Sequence, residues 1–210
     1  MTLLLDVTTD SIQKAATTVR DGGLIIYPTD TVYGLGCNPF DESAVARLAR
    51  VKQRTKENLP VLVSNLEKAR LLGRIEDRLE IPIRRFWPGP LTIIVPCKVS
   101  LPLKVVGHDT MIGLRIPDRE ETLDLISNSG GFIVGTSANI SGTPSLRNAE
   151  EALTVFDGKV DVILDGGSAT TRTESTVVKQ TDDGIQLLRE GAIKYAEFEA
   201  ALASKPRGMQ

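Results

Sequence analysis

The sequence predicts a three-layer α/β domain built on an open, mixed β-sheet, and three observations carry that expectation. Helical apolar stripes alternate along the chain with short apolar runs rich in Val and Ile, the pattern of helices packed on a sheet. Near the C-terminal end, STVVKQ at 175–180 and IQLLRE at 185–190 flank Asp182-Asp183-Gly184, a hairpin spacing that adds antiparallel pairing to the sheet. No stretch is long or biased enough to be a linker and no repeat is found, so residues 1–200 read as one domain and 201–210 as a short flexible tail.

Each element has a local reason. Over Ser11 to Arg20, Ile12, Ala15, Ala16 and Val19 form one stripe, with Asp10 or Ser11 as the cap. Asp21-Gly22-Gly23 stops that helix, and LIIYP follows as a buried strand ended by Pro28. Residues 28–38 read as a polar loop. Asp41 and Glu42 open a second helix carrying Val45, Leu48 and Ala49. LPVLVS at 59–64 is strand-like, and Ser64 or Asn65 leads into a helix from Leu66. A short helix over 78–87 should be interrupted near Pro82. LTIIVP and MIGLRIP are strands, and 100–110 between them shows no pattern. Glu120 to Asn128 is helical, Gly130-Gly131 ends it, and FIVGT is the next strand. A helix over 148–156 precedes VDVILDGG, and a last helix covers 195–203.

Composition narrows the function classes. In 210 residues, 41% are hydrophobic, 25% charged and 4% aromatic, values of a soluble globular protein whose core is mainly aliphatic. The formal charge of -2 argues against coating nucleic acid by bulk charge but leaves room for a local basic pocket. Cys37 and Cys97 are the only cysteines and His108 the only histidine, too little material for a Cys/His zinc site. MTLLLDVTTD lacks the basic segment of a signal peptide, and no apolar run is long enough to span a membrane. The expected location is the cytoplasm.

Polar clusters follow several apolar strands, where open α/β sheets bind ligands. Thr29, Asp30, Thr31 and Tyr33 crowd between LIIYP and Gly34; a loop needs polar residues anyway, and Asp30 suits an anchor better than a reactant. Lys52, Arg54 and Lys56 gather at a helix end, where basic residues are ordinary, although a point charge beside a forked donor also suits a triphosphate. Thr136, Ser137 and Asn139 form a turn after a strand, explicable by side-chain turn chemistry alone or as an anion-facing surface. Arg115 within MIGLRIP needs a partner if buried, either a ligand anion or a neighbouring carboxylate. Ser175, Thr176 and Arg189 repeat the theme. No P-loop, dinucleotide fingerprint, G-x-S-x-G or HExxH pattern occurs. The inventory points to positioning of anionic substrates rather than protein-borne covalent chemistry.

Together, YPTDTVYGLGC, KQR at 52–54, LRIP at 114–117, GTSANISG at 135–142, ESTVV at 174–178 and LLREGAI at 187–193 resemble the threonylcarbamoyl-adenylate synthase family, also called Sua5/YciO/YrdC. The ordered set runs from residue 24 to residue 193. The resemblance implies a YrdC-like twisted open sheet with a deep cleft. It implies condensation of L-threonine, bicarbonate or carbon dioxide, and ATP into threonylcarbamoyl-AMP and pyrophosphate, with Mg2+ accompanying ATP. The product would pass to the machinery that places N6-threonylcarbamoyladenosine in tRNA, a setting that leaves room for transient RNA contact. Carried onto this chain, Lys52, Arg54, Ser137 and Asn139 would be catalytic and surround the phosphates, with Thr29 and Arg189 also on the ATP side. Thr31, Tyr33, Arg115, Thr136 and Ser175 would hold threonine, with Arg115 facing its carboxylate. No protein metal ligand is implied. The chain departs from the family pattern at Thr55, at Asn58-Leu59-Pro60 and at Glu174, and the expectation from the resemblance is a single-domain form without the C-terminal domain of the longer members. The alternative within the same fold is a YciO-like nucleotide- or RNA-binding paralogue without synthase activity.

Overall fold

The computed structural model describes residues 1–55, 58–169 and 173–204. In chain order the elements are β1 (Leu3–Asp6), α1 (Thr9–Arg20), β2 (Ile25–Tyr27), β3 (Gly34–Gly36), α2 (Glu42–Val51), β4 (Val61–Val63) and α3 (Leu66–Leu72). A 3-10 turn at Asp77–Leu79 leads into α4 (Glu80–Phe86), then β5 (Leu91–Pro96), α5 (Leu103–Val106), β6 (Met111–Arg115), α6 (Glu120–Asn128), β7 (Phe132–Val134) and β8 (Thr136–Ser137). The chain continues through α7 (Ala149–Phe156), β9 (Val162–Asp165), β10 (Thr176–Thr181), β11 (Gly184–Arg189) and α8 (Tyr195–Ala203).

The strands form two sheets rather than the single one expected. One has the order β1-β9-β2-β3-β8, the other β11-β10-β5-β6-β4-β7. Both are mixed: β1, β9 and β2 run parallel while β3 is antiparallel to both β2 and β8. In the second sheet β10 is parallel to β5 and antiparallel to β11, the hairpin legible in the sequence. The sheets adjoin where the chain leaves β7 and enters β8. There Val134 N–H donates to Cys37 O at 2.9 Å, and Gly135 N–H donates to Pro60 O at 2.8 Å. Gly135 is required by this crossing, because a Cβ on it would lie 2.3 Å from Leu62 Cγ.

Period-two alternation splits the core between the sheet faces. Ile25 and Tyr27 of β2 pack with Ile12, Ala15 and Val19 of α1 and Leu125 and Ile126 of α6. Leu24 and Ile26 point the other way, into a larger core that includes Leu48, Phe156 and Phe198 from α2, α7 and α8.

Local chemistry explains where the expected elements shift. Thr8, not Asp10 or Ser11, caps α1 by accepting from Ser11 N–H at 3.2 Å. Asp41 caps α2 and Asn65 caps α3. Pro82 does not break α4 because it lies in the first turn, where no intrahelical N–H is needed. The 28–38 loop contains β3, and the patternless 100–110 stretch contains α5. The 201–210 tail begins inside α8; its residues 205–210, like Lys56, lie outside the described residues.

Candidate active site between the two sheets

A cavity of about 250 Å³ opens between the sheets. β2, β3 and β8 supply one wall, and β5, β6, β10 and β11 the other. Its lining mixes apolar side chains, Leu62, Ile94 and Val177 among them, with polar ones. Thr29, Thr31, Tyr33, Arg54 and Arg115 line it, as do Thr136, Ser137, Ser175 and Arg189. Lys52 and Asn139 do not.

The loop after β2 is closed by its own hydroxyls. Thr29 Oγ1 donates to Val32 O at 2.6 Å, accepts from Thr31 N–H at 3.1 Å and lies 3.0 Å from Thr31 Oγ1. Arg115 reaches this loop from β6. Its Nε donates to Gly89 O at 2.9 Å, Nη1 to Thr31 Oγ1 at 3.1 Å and Nη2 to Asp30 Oδ1 at 2.6 Å. The side chains of this ion pair are 7% and 12% exposed, so Asp30 is the neighbouring carboxylate that a buried Arg115 needs. Tyr33 turns its hydroxyl away from the loop, donating to Gly167 O at 2.7 Å and accepting from Gly166 N–H at 3.1 Å. Burial raises its pKa, opposed by the Gly166 contact.

Lys52 ends α2 and points behind the 136–139 turn. Its Nζ donates to Ser137 O at 2.5 Å and to Asn139 Oδ1 at 2.6 Å, with Asn139 O at 3.2 Å. Asn139 Oδ1 also accepts from Ser137 Oγ at 2.8 Å, and its Nδ2 donates to Thr143 O at 2.5 Å. Lys52 and Asn139 therefore fix the turn that presents Thr136 and Ser137. Burial lowers the Lys52 pKa to about 8; the Arg54 charge adds to this and the Glu174 charge opposes it. Gln53 takes a left-handed φ of 53°, which lets Arg54 N–H return to Ala49 O at 2.8 Å and turns the chain toward the cavity. Burial lowers the Arg54 pKa as well.

On the far side, the Thr92 and Ser175 hydroxyls are 2.9 Å apart. Arg189 spans β11 and β10: Nε and Nη2 donate to Ser175 O at 3.1 and 2.9 Å, Nη2 also reaches Ser175 Oγ at 3.2 Å, and Nη1 pairs with Glu174. Thr92, Asn58 and Glu174 line the cavity but were not among the sequence-derived site residues. Thr92 had a signal, a hydroxyl inside the otherwise apolar LTIIVP. Glu174 was visible only as a departure from the family pattern.

Residues 17–191 match the family model Sua5_yciO_yrdC, described as "Telomere recombination". The chain belongs to the Sua5/YciO/YrdC family. That match encloses every cavity-lining residue from Tyr27 to Arg189. A Sua5/YciO/YrdC relative in Pyrococcus abyssi, named threonylcarbamoyl-AMP synthase, is 38% identical over 193 residues, covering 91% of this chain and 57% of the relative. The chain thus spans little more than half of that protein. A threonylcarbamoyl-AMP synthase of Cellvibrio japonicus is 36% identical over 80% of this chain and 89% of its own length. The crystal structure of P. abyssi Sua5 complexed with L-threonine matches with a TM-score of 0.90 at 35% identity, covering 97% of this chain and 61% of that one.

Proposed function

We propose that this chain is an L-threonylcarbamoyladenylate synthase. One observation carries the reading: two cationic groups border a single cavity. Arg115 stands with Thr31 in one. Arg54 and Arg189, the latter paired with Glu174, make the other. Two anionic partners suit such a site, an amino-acid carboxylate and a nucleotide polyphosphate. The names of the relatives and the threonine-bound Sua5 structure support the same assignment.

On this reading Arg115 and Thr31 hold the threonine carboxylate, and Thr136 and Ser175 line the remainder of that pocket. The threonine amine adds to carbon dioxide, with its proton released to solvent, or to bicarbonate carbon with loss of water, giving the carbamate. A carbamate oxygen then attacks the α-phosphorus of ATP, and the bond to pyrophosphate breaks. Arg54 and Arg189 neutralise charge on the departing group, and Ser137 orients it from a turn braced by Lys52 and Asn139. Magnesium belongs to the substrate MgATP. Among the described residues no group of three or more His, Cys, Asp or Glu side chains could hold a metal, and the one carboxylate lining the cavity, Glu174, is paired with Arg189. Phosphate oxygens and water suit that ion. The product would serve threonylcarbamoyl transfer to tRNA in the cytoplasm. Among the described residues no helix is long and apolar enough to cross a membrane.

The test is incubation with ATP, magnesium, bicarbonate and radiolabelled threonine. Threonylcarbamoyl-AMP and pyrophosphate are expected, both dependent on threonine. Nucleotide binding without any threonine-dependent product would leave the YciO-like paralogue instead.

A further inference from the structure

Among the described residues, Glu174 is the only carboxylate lining a cavity otherwise furnished with guanidinium groups and hydroxyls. Both its oxygens are engaged. Oε1 accepts from Ser145 Oγ at 2.8 Å, and Oε2 pairs with Nη1 of Arg189. Arg189 itself is anchored to the backbone, since Nε and Nη2 both donate to Ser175 O. That anchoring leaves Nη1 as the nitrogen directed at an anion, and Glu174 occupies it.

We propose that Glu174 is an internal anion that holds Arg189 in place of a nucleotide phosphate and thereby sets the affinity of the site for polyphosphate. The naming of the nucleotide as ATP rests on the synthase reading above.

The two guanidinium–carboxylate pairs bordering the cavity differ in the property this requires. The Arg115–Asp30 side chains are 7% and 12% exposed, whereas those of Arg189–Glu174 are 46% and 35% exposed. Opening the first strands charge in the interior. Opening the second hands both groups to water or to an incoming anion at little cost. A carboxylate and a phosphate compete for the same donors, and the phosphate brings more charge and more acceptor oxygens. The Glu174 charge also reaches Lys52, where it opposes the effect of burial. Removing the carboxylate lifts both a competitor for Arg189 and a like charge facing the incoming anion.

Glu174→Gln separates charge from shape, because the amide keeps an acceptor for Ser145 Oγ. Affinities of the full chain for MgATP and for inorganic tripolyphosphate would be measured by calorimetry at low and high salt. Both ligands should bind roughly fivefold more tightly to the variant at low salt. The advantage should shrink near 1 M salt, where charges are screened within about 3 Å. Glu174→Ala should tighten tripolyphosphate binding in the same direction. Unchanged or weaker tripolyphosphate binding by Glu174→Gln would overturn the proposal and make Glu174 a support for Arg189 instead. If wild-type protein makes threonylcarbamoyl-AMP while the affinities stay equal, only this inference fails. If tripolyphosphate binds more tightly to the variant but no threonine-dependent product forms, this inference stands and the synthase reading fails.

Discussion

The Lys52 amine is enclosed by oxygens of Ser137 and Asn139, and burial brings its pKa from 10.5 to about 8. Between those two values the unfolded chain binds more protons than the folded one, so this group's contribution to stability rises with pH across that window. Activity should run the other way, because losing the proton weakens the charge-assisted bonds that hold the turn. We expect turnover to fall above about pH 8 while the stability of wild type relative to Lys52→Met improves from pH 8 to 10.5. A flat alkaline limb in the pH–rate profile would contradict the bracing role. Asp30→Asn should leave Arg115 buried without its counter-charge and cost about 3 kcal/mol in urea unfolding; a loss below about 1 kcal/mol would place the pair among exposed ones. The sequence made Arg115's need of a partner plain and marked Asp30 as an anchor. It could not join them, since 85 positions separate the two. Nor could it tell that Lys52 lies behind the wall, because a basic helix end reads the same whichever way its side chain turns.

Elements long enough to show a period were legible: α1, α2, α6 and the β10–β11 hairpin all stand close to where apolar spacing puts them. Those missed are too short for a period. β3 is Gly-Leu-Gly and β8 only Thr136–Ser137, and both exist through pairing with distant strands. Missing them hid the second sheet. Their junction gives a stringent test at Gly135, where a methyl group would meet the Leu62 side chain at 2.3 to 2.9 Å. Gly135→Ala should lose about 2 kcal/mol or more in thermal or urea unfolding, the cost of forcing volume into a filled space. An unchanged melting temperature would show that the sheets can part there freely.

At the scale of the molecule, α8 lies beyond the family match yet is part of the core. Phe198 is fully buried, with the ring centroids of Phe86 and Tyr195 at 6.5 and 6.1 Å. Phe198→Ala should cost about 3 kcal/mol, measured by urea unfolding, and a cost near zero would make α8 an appendage. The cavity has a different standing. Its walls come from separate sheets, so any molecule touching both Arg115 and Ser137 acts as a strut across the seam. Occupancy then becomes a mechanical property of the whole chain. With ligand at a hundred times its Kd, about 2.7 kcal/mol is added to global unfolding, and heat must part the sheets against the molecule lodged between them.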